Sequence, residues 1–388
     1  MRYYTLNELN PGMKLGSSIY SSKGNLLLAA GKPLDTGFIT RIDELGFPGV
    51  YIDEPGFESI EPPELIDPSL RASTHALLGE CLESLTKLSP IIQEFDESLE
   101  DRLAAHPEFQ KVLPMGEIQN KVHLIIDELM EQFATELPCL LIKAHSRYQV
   151  EHAIDTMLIS VLLGINFRFV YRELRQLGIA ALLHDVGKTL LAKPGEENIG
   201  PDHPRYKEHP TLGGLIIQAC GTNHYTEAAA IQQHHERQDG KGFPNGLIGY
   251  NKAPISSRPH HSGTIYRLAE IVSVADAYDV LTSGAYAPAI TPEQAIQKLV
   301  NRSFFEFNAE AVRMLTRVVQ IFPLGCQVRI RKCSDEKLLH ARGIVSKANS
   351  NQPNRVELIL THDGSGNSIK PTPVSLAEDG EARLELVF

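Results

Sequence analysis

The stretch TEAAAIQQHHERQDGKGFPNG, Thr226 to Gly246, joins two kinds of chain. TEAAAIQQHHE reads as helix, whereas DGKGFPNG carries three glycines and a proline and reads as a turn-rich loop. His234 and His235 stand at the junction. A neighbouring pair of histidines is ordinarily surface polarity. It gains weight here from the loop that follows and from other histidines upstream.

Working outward, the helical reading extends from Leu140 to Phe322 through AIDTMLISVLLGI, ELRQLGIAALLHDVG, TLGGLIIQAC, RLAEIVSVADAYDVL, TPEQAIQKLV and NAEAVRMLTRVV. This predicts an all-α domain. Polar residues interrupt its most apolar runs. His152 heads VEHAIDTMLISVLLG, His184 and Asp185 follow Leu182 and Leu183, His209 precedes a proline, and Asp276 follows Val272, Val274 and Ala275. If these helices face a core, their polar groups are buried or line a cleft. A buried carboxylate must then neutralise or find a partner. A divalent metal is such a partner, and neutral imidazoles and carboxylates suit zinc, manganese or iron. Adjacent residues on a helix point roughly 100° apart, at about 3.6 residues per turn. Read as helical, His184/Asp185 and His234/His235 can each reach two neighbouring metals, or one metal and a substrate. Taken singly, each residue is as readily a satisfied core or surface group; the ordered series carries the argument.

That series, His, His-Asp-x-Gly-Lys, His-Pro-x-x-Gly, His-His-Glu, Asp, resembles the HD superfamily of metal-dependent phosphohydrolases. HHERQDGKGFP is similar to the H-H-E-x-x-D-G-x-G-Y-P signature of its HD-GYP branch, known as bacterial phosphodiesterases of cyclic di-GMP. NPGMKLGSSIY and LLLAAGKPLD also resemble a small domain found ahead of HD-GYP domains. The resemblance implies an HD-type helical bundle and two divalent ions, iron or manganese foremost, with zinc, magnesium, nickel and cobalt as further candidates. It assigns His152, His184, Asp185, His209, His234, His235 and Asp276 as metal ligands, with Asp185 bridging. It makes Lys188 the group that meets the scissile phosphate, so Asp185 and Lys188 are the catalytic pair. Lys188 and the loop residues Asp239, Gly240 and Gly242 are expected to contact substrate, the glycines because they let backbone approach a ligand closely. His203, His260 and His261 fall outside the series.

Three departures from the family pattern stand out. Phe243 replaces the tyrosine of G-Y-P. Tyr148 stands four residues before His152, where members with a third metal carry a glutamate; Glu151 is expected on another helix face. TSGAYAPAITP, Thr282 to Pro292, lacks the basic residues that commonly follow Ser283.

The remaining chain frames this domain. Residues 1–53 read as a small β-rich α+β module: a hairpin about Lys23-Gly24, a short helix capped by Asp35 and stopped by Gly46, and a returning strand at VYI. Residues 54–139 read as an acidic, proline-rich exposed linker followed by connecting helices in LLGECLESLTKL and VHLIIDELMEQF. Residues 140–322 form the HD-GYP-like domain. Residues 323–388 read as a short all-β tail, with CQVRIRK, RVELIL and ARLELVF as strands and Asp363-Gly364 as a turn. The expected class is mostly α.

Composition bounds the partners. The 388 residues carry a formal charge of −11 and no basic run, which argues against duplex nucleic acid. Five dispersed cysteines without a C-x-x-C argue for a reducing compartment, here the bacterial cytoplasm. No run approaches the roughly 18 apolar residues of a membrane span, and the first residues do not read as a signal peptide. The expected activity is hydrolysis of a cyclic dinucleotide, cyclic di-GMP to pGpG, with GMP formed slowly or not at all. The rivals are a non-catalytic cyclic-dinucleotide receptor or adaptor, and a phosphohydrolase of another nucleotide. A signalling protein at the G-F-P loop and a homodimer through the connecting helices are the expected protein partners.

Overall fold

The computed structural model describes residues 1–20, 26–44, 49–61, 65–93, 112–131, 137, 148–192, 199–221, 223–257, 261–284, 286–348 and 355–387. At the N-terminus, β1 (Arg2–Thr5) and β2 (Lys14–Leu15) flank β5 (Gly49–Asp53) in an antiparallel sheet, and β3 (Ile19–Tyr20) pairs with β4 (Leu26–Leu28). Helix α1 (Thr36–Glu44) begins where Asp35 Oδ1 accepts the Phe38 N–H at 2.7 Å, the expected cap. The Lys23-Gly24 turn, Leu45 and Gly46 lie outside the described residues.

The segment after β5 corrects the expectation of an exposed linker. Phe57 and Ile60 are 2% and 0% exposed and pack with Ile344 and Ile359 of the C-terminal sheet. A turn closed by Ile60 N–H donating to Phe57 O (3.0 Å) brings the two apolar residues together. Acid and proline dominate the segment's composition, and that average conceals two anchoring side chains.

Nine helices follow: α2 (Pro68–Gln93), α3 (Met115–Glu131), α4 (Tyr148–Asn166), α5 (Tyr171–Leu182), α6 (His209–Ala219), α7 (Tyr225–Gln233), α8 (Arg267–Ser283), α9 (Pro292–Arg302) and α10 (Ala309–Val318), counted among the described residues. The long apolar helix α4 is deeply enclosed; Ile154, Met157, Leu158, Val161 and Leu162 are each 0% exposed. A helix apolar all round must be covered all round, and α5, α8, α10 and α2 do so. The connecting helices α2 and α3 share this core through Leu78, Leu85, Ile118, Val122, Ile125 and Leu129. Arg71 fastens α2 to α4 by ion pairs to Glu151 (2.7 Å) and Asp155 (2.6 Å). No helix among the described residues is long and apolar enough to cross a membrane.

The C-terminal strands β6 (Gln327–Lys332), β7 (Arg342–Lys347), β8 (Glu357–His362), β9 (Ser368–Ser375) and β10 (Arg383–Leu386) form one antiparallel sheet in the order β10-β6-β7-β8-β9. Its own core includes Val328, Ile330, Leu358 and Leu360. At the Asp363-Gly364 turn, Asp363 Oδ1 accepts the N–H groups of Ser365 and Asn367, both at 2.9 Å. The N-terminal sheet leans on this unit through Tyr3 N–H to Gly325 O (3.1 Å) and Tyr51 Oη–H to Leu324 O (3.3 Å).

Candidate metal centre

The two polar pairs stand at the ends of their helices, just past the last helical residues. Helix α5 stops at Leu182 and His184-Asp185 occupy the following turn; α7 stops at Gln233, one residue before His234. The imidazoles help to end these helices. His184 Nδ1–H donates to Ala181 O (2.8 Å), and His234 Nδ1–H to Ile231 O (2.6 Å). Each satisfies a carbonyl of a last turn that has no helical partner. His209, at the start of α6, likewise donates its Nδ1–H to a backbone carbonyl, Tyr206 O (2.6 Å).

A carbonyl can only accept, so these three bonds fix the proton on Nδ1 and leave Nε2 with its lone pair. The free nitrogens converge. His209 Nε2 lies 3.3 Å from His234 Nε2, and His184 Nε2 lies 3.1 Å from His152 Nε2. Asp185 sits between the pairs. Its Oδ1 is 3.2 Å from His209 Nε2, and its Oδ2 is 3.5 Å from His184 Nε2 and 3.7 Å from His152 Nε2. Asp276, on α8, adds Oδ1 at 3.2 Å from His152 Nε2. His235 closes the other side, its ring 5.0 Å from that of His209. Three groups could hold an ion: His152/His184/Asp276, His209/His234/His235, and His184/Asp185/His234, which links the other two.

Glycine makes this convergence attainable. A Cβ on Gly187 would lie 2.0 Å from His209 O and 2.5 Å from Gly213 N. Only a residue without a side chain lets the turn after Asp185 touch the start of α6.

The electrostatics fit a cation. Burial holds His184 and His234 below the usual imidazole range, and burial with the neighbouring His209 holds His235 down at about 3. These rings are neutral near pH 7. For His152, burial opposes charge, but hydrogen bonds and charges from Asp276 and Asp279 outweigh it and push the pKa up to about 9. Burial likewise opposes the charge on Asp185, yet Lys188 and His184 hold its carboxyl well below the ordinary range. Asp185 Oδ1 is buried with no hydrogen-bond donor. Such a group costs about 1–3 kcal/mol, more when charged. It faces His209 Nε2 at 3.2 Å. A buried carboxylate oxygen ringed by imidazole nitrogens is a donor set suited to a divalent ion.

Lys188 is buried with its Nζ 2.5 Å from Asp185 Oδ2 and 3.3 Å from Tyr286 Oη, above the Tyr206 ring. Burial opposes its charge, and Asp185 outweighs that and raises the pKa. Tyr286 belongs to the stretch without basic residues, so a phenol stands beside the lysine there. Tyr206 Oη pairs with His235 Nε2 at 3.2 Å.

The other expected residues are placed as follows. Asp239 accepts from Arg237 Nε (3.0 Å) and Nη2 (2.8 Å) and from Lys241 N–H (3.1 Å), so its carboxylate shapes the loop. Gly240 adopts φ +74°, and a Cβ on Gly242 would lie 2.4–2.6 Å from the backbone of His235–Arg237. The close approach these glycines permit is to the chain itself. Tyr148 stacks on His152, with centroids 5.1 Å apart and planes at 16°. Glu151 points to Arg71 and His75, away from the centre. His203 receives the Arg205 N–H at 3.2 Å, and His261 is exposed. Neither belongs to the convergent groups, and His260 lies outside the described residues.

Sequence reasoning missed Asp279, Tyr206 and Tyr286. Asp279 accepts the Nδ1–H of His152 at 2.7 Å and is 0% exposed. Its spacing of three from Asp276 puts both carboxylates on one helix face, a signal that could have found it. The two tyrosines carry no spacing that distinguishes them.

Residues 150–281 match the family model of the HD domain. Among curated proteins, the chain is 26% identical over 228 residues to cyclic di-GMP phosphodiesterase PA4108 of Pseudomonas aeruginosa, covering 56% of this chain and 51% of that protein. It is 32% identical over 154 residues to the cyclic di-GMP phosphodiesterase response regulator RpfG of Xanthomonas campestris, covering 37% and 36%. It is 28% identical over 181 residues to 3'3'-cGAMP-specific phosphodiesterase 2 of Vibrio cholerae, covering 45% and 32%. The chain thus spans between about a third and about half of the length of these relatives.

Proposed function

From the HD domain that residues 150–281 form, we propose that this chain is a metal-dependent phosphodiesterase of the HD-GYP type, opening cyclic di-GMP to linear pGpG. The observation that carries the reading is the pair of imidazole groups facing each other across Asp185, with the Lys188 ammonium at its edge. The relatives named for cyclic dinucleotide hydrolysis support the substrate class.

In this reading His152, His184 and Asp276 would hold one divalent ion and His209, His234 and His235 a second, with Asp185 between the two groups. Such ions, iron or manganese foremost, supply Lewis acidity and a nucleophilic water at neutral pH. The chain's own residues do the rest. The carbonyls of Ala181, Tyr206 and Ile231 hold three rings in one tautomer, and Asp279 holds the fourth. These are preset positions that need no reorganisation during reaction. Lys188 stays protonated and donates to a phosphate oxygen, offsetting charge that develops there. Tyr286 and Tyr206 confine its ammonium.

The test is product chromatography with metal-loaded protein purified without air. Cyclic di-GMP should give pGpG, and His184→Ala should abolish both metal retention and turnover. A wild-type protein that holds metal and binds cyclic di-GMP without cleaving it would be a receptor. Cleavage of 3'3'-cGAMP in preference would move the substrate and leave the chemistry.

A further inference from the structure

Beside the convergent histidines lies a cleft of about 400 Å³ lined by Lys207, Glu208, Thr211, Leu212, Phe243 and Pro244. We propose that this cleft is a nucleobase subsite, built to take a purine, guanine before adenine, of the dinucleotide whose phosphate lies at Lys188. The inference rests on the phosphodiesterase reading above.

Three features argue for a base. First, the cleft adjoins the centre through one side chain: the Phe243 ring lies 4.8 Å from the His235 ring, tilted by 30°. Second, the lining is apolar at Leu212, Phe243 and Pro244 and polar at Lys207, Glu208 and Thr211. An aromatic wall stacks on any base. Third, Glu208 is already paired with Arg205 through Nε (3.0 Å) and Nη2 (2.8 Å), which leaves Lys207 as the cationic donor at the rim.

Lys207 supplies the preference among bases. Its Nζ lies 5.8 Å above the Phe243 ring, where it can donate to the edge of a base stacked on that ring. Guanine presents two acceptors there, N7 and O6, whereas adenine replaces O6 with an amino donor. The subsite also gives the phenylalanine of G-F-P a use that needs no hydroxyl.

The experiment compares kcat/KM for cyclic di-GMP, cyclic di-AMP and bis(4-nitrophenyl) phosphate, a diester without bases. Wild-type protein is set against Lys207→Met, an exposed position, and Phe243→Leu. We expect each variant to lower the ratio of cyclic di-GMP to bis(4-nitrophenyl) phosphate turnover roughly tenfold, and Lys207→Met to narrow the preference over cyclic di-AMP. A variant that merely misfolds or loses metal lowers both rates together, so circular dichroism and metal content accompany each measurement. Ratios unchanged in folded, metal-bearing Lys207→Met would overturn the subsite while leaving the phosphodiesterase reading intact. Wild-type protein that cleaves bis(4-nitrophenyl) phosphate but no cyclic dinucleotide would overturn both.

Discussion

Asp279 holds His152 from behind: the Nδ1–H of the ring donates to Asp279 Oδ2 at 2.7 Å, and both side chains are buried. The bond turns Nε2 toward Asp185 and Asp276. A carboxylate in this position orients a ligand ring and raises its basicity. Asp279→Ala should therefore weaken metal retention by roughly 10–100-fold while leaving the helical content intact. Metal content after competition with a chelator measures it, and wild-type retention in the variant would remove Asp279 from the site.

The same pair sets a pH dependence. His152, pushed up to about 9, carries a second proton in the metal-free protein. A raised pKa contributes stability that is complete below the unfolded value of about 6.5 and fades as pH rises through about 9. An ion must displace that proton, whereas His184, His234 and His235 are already neutral. Apparent metal affinity should then rise about tenfold per pH unit below pH 9, one proton released per chain. Calorimetry in buffers of different ionisation enthalpy counts the proton. Release of none at pH 7.5 would mean that His152 is neutral before metal arrives.

Gly187 tests the packing that brings the two histidine groups together. A Cβ there would overlap His209 O and Gly213 N, backbone atoms with no rotamer to yield. Gly187→Ala should cost about 1–3 kcal/mol in chemical denaturation and lower metal content as well. An unchanged denaturation midpoint would show that the turn has room to move.

The histidines outside the convergent groups supply the converse. His203→Ala should leave metal content and turnover at wild-type values, since the His203 ring accepts the Arg205 N–H and stands outside the convergent groups. Loss of metal comparable with that of His209→Ala would show that the wrong His-Pro pair had been chosen.

What could be read in the sequence follows from where the partners lie. His152, His184, Asp185, His209, His234, His235 and Asp276 were picked out by their ordered series and its family resemblance, and their side chains converge in the fold. The helical class, the Asp35 cap and the Asp363-Gly364 turn are local and were equally legible. Phe57 and Ile60 were not, because what buries them, Ile344 and Ile359, is nearly three hundred positions away in the chain. That the rings of His184 and His234 cap carbonyls of the preceding helices escaped, because an imidazole that caps a carbonyl looks the same in sequence as one that does not. Asp239 and Gly242, expected to meet substrate, also shape the loop itself, a role that spacing does not announce.

The number of metals turns on Tyr148. Its ring stacks on His152, and burial pushes its phenol well above the ordinary value, so it stays protonated. A protonated phenol is a poor ligand beside imidazoles and carboxylates. Glu151, the nearest carboxylate in sequence, is committed to Arg71 and His75. Among the described residues, the groups able to hold an ion all draw on the seven residues around Asp185. Two ions per chain are expected by elemental analysis, and Tyr148→Phe should keep that number. The product follows from the charge available. Cutting pGpG again requires its new terminal phosphate to be accommodated, and the stretch after Ser283 places Tyr286, not a cation, beside Lys188. Linear pGpG should accumulate as cyclic di-GMP disappears, with GMP lagging far behind. A third ion beside Tyr148, or GMP formed as fast as the cyclic substrate is lost, would contradict this account of the site.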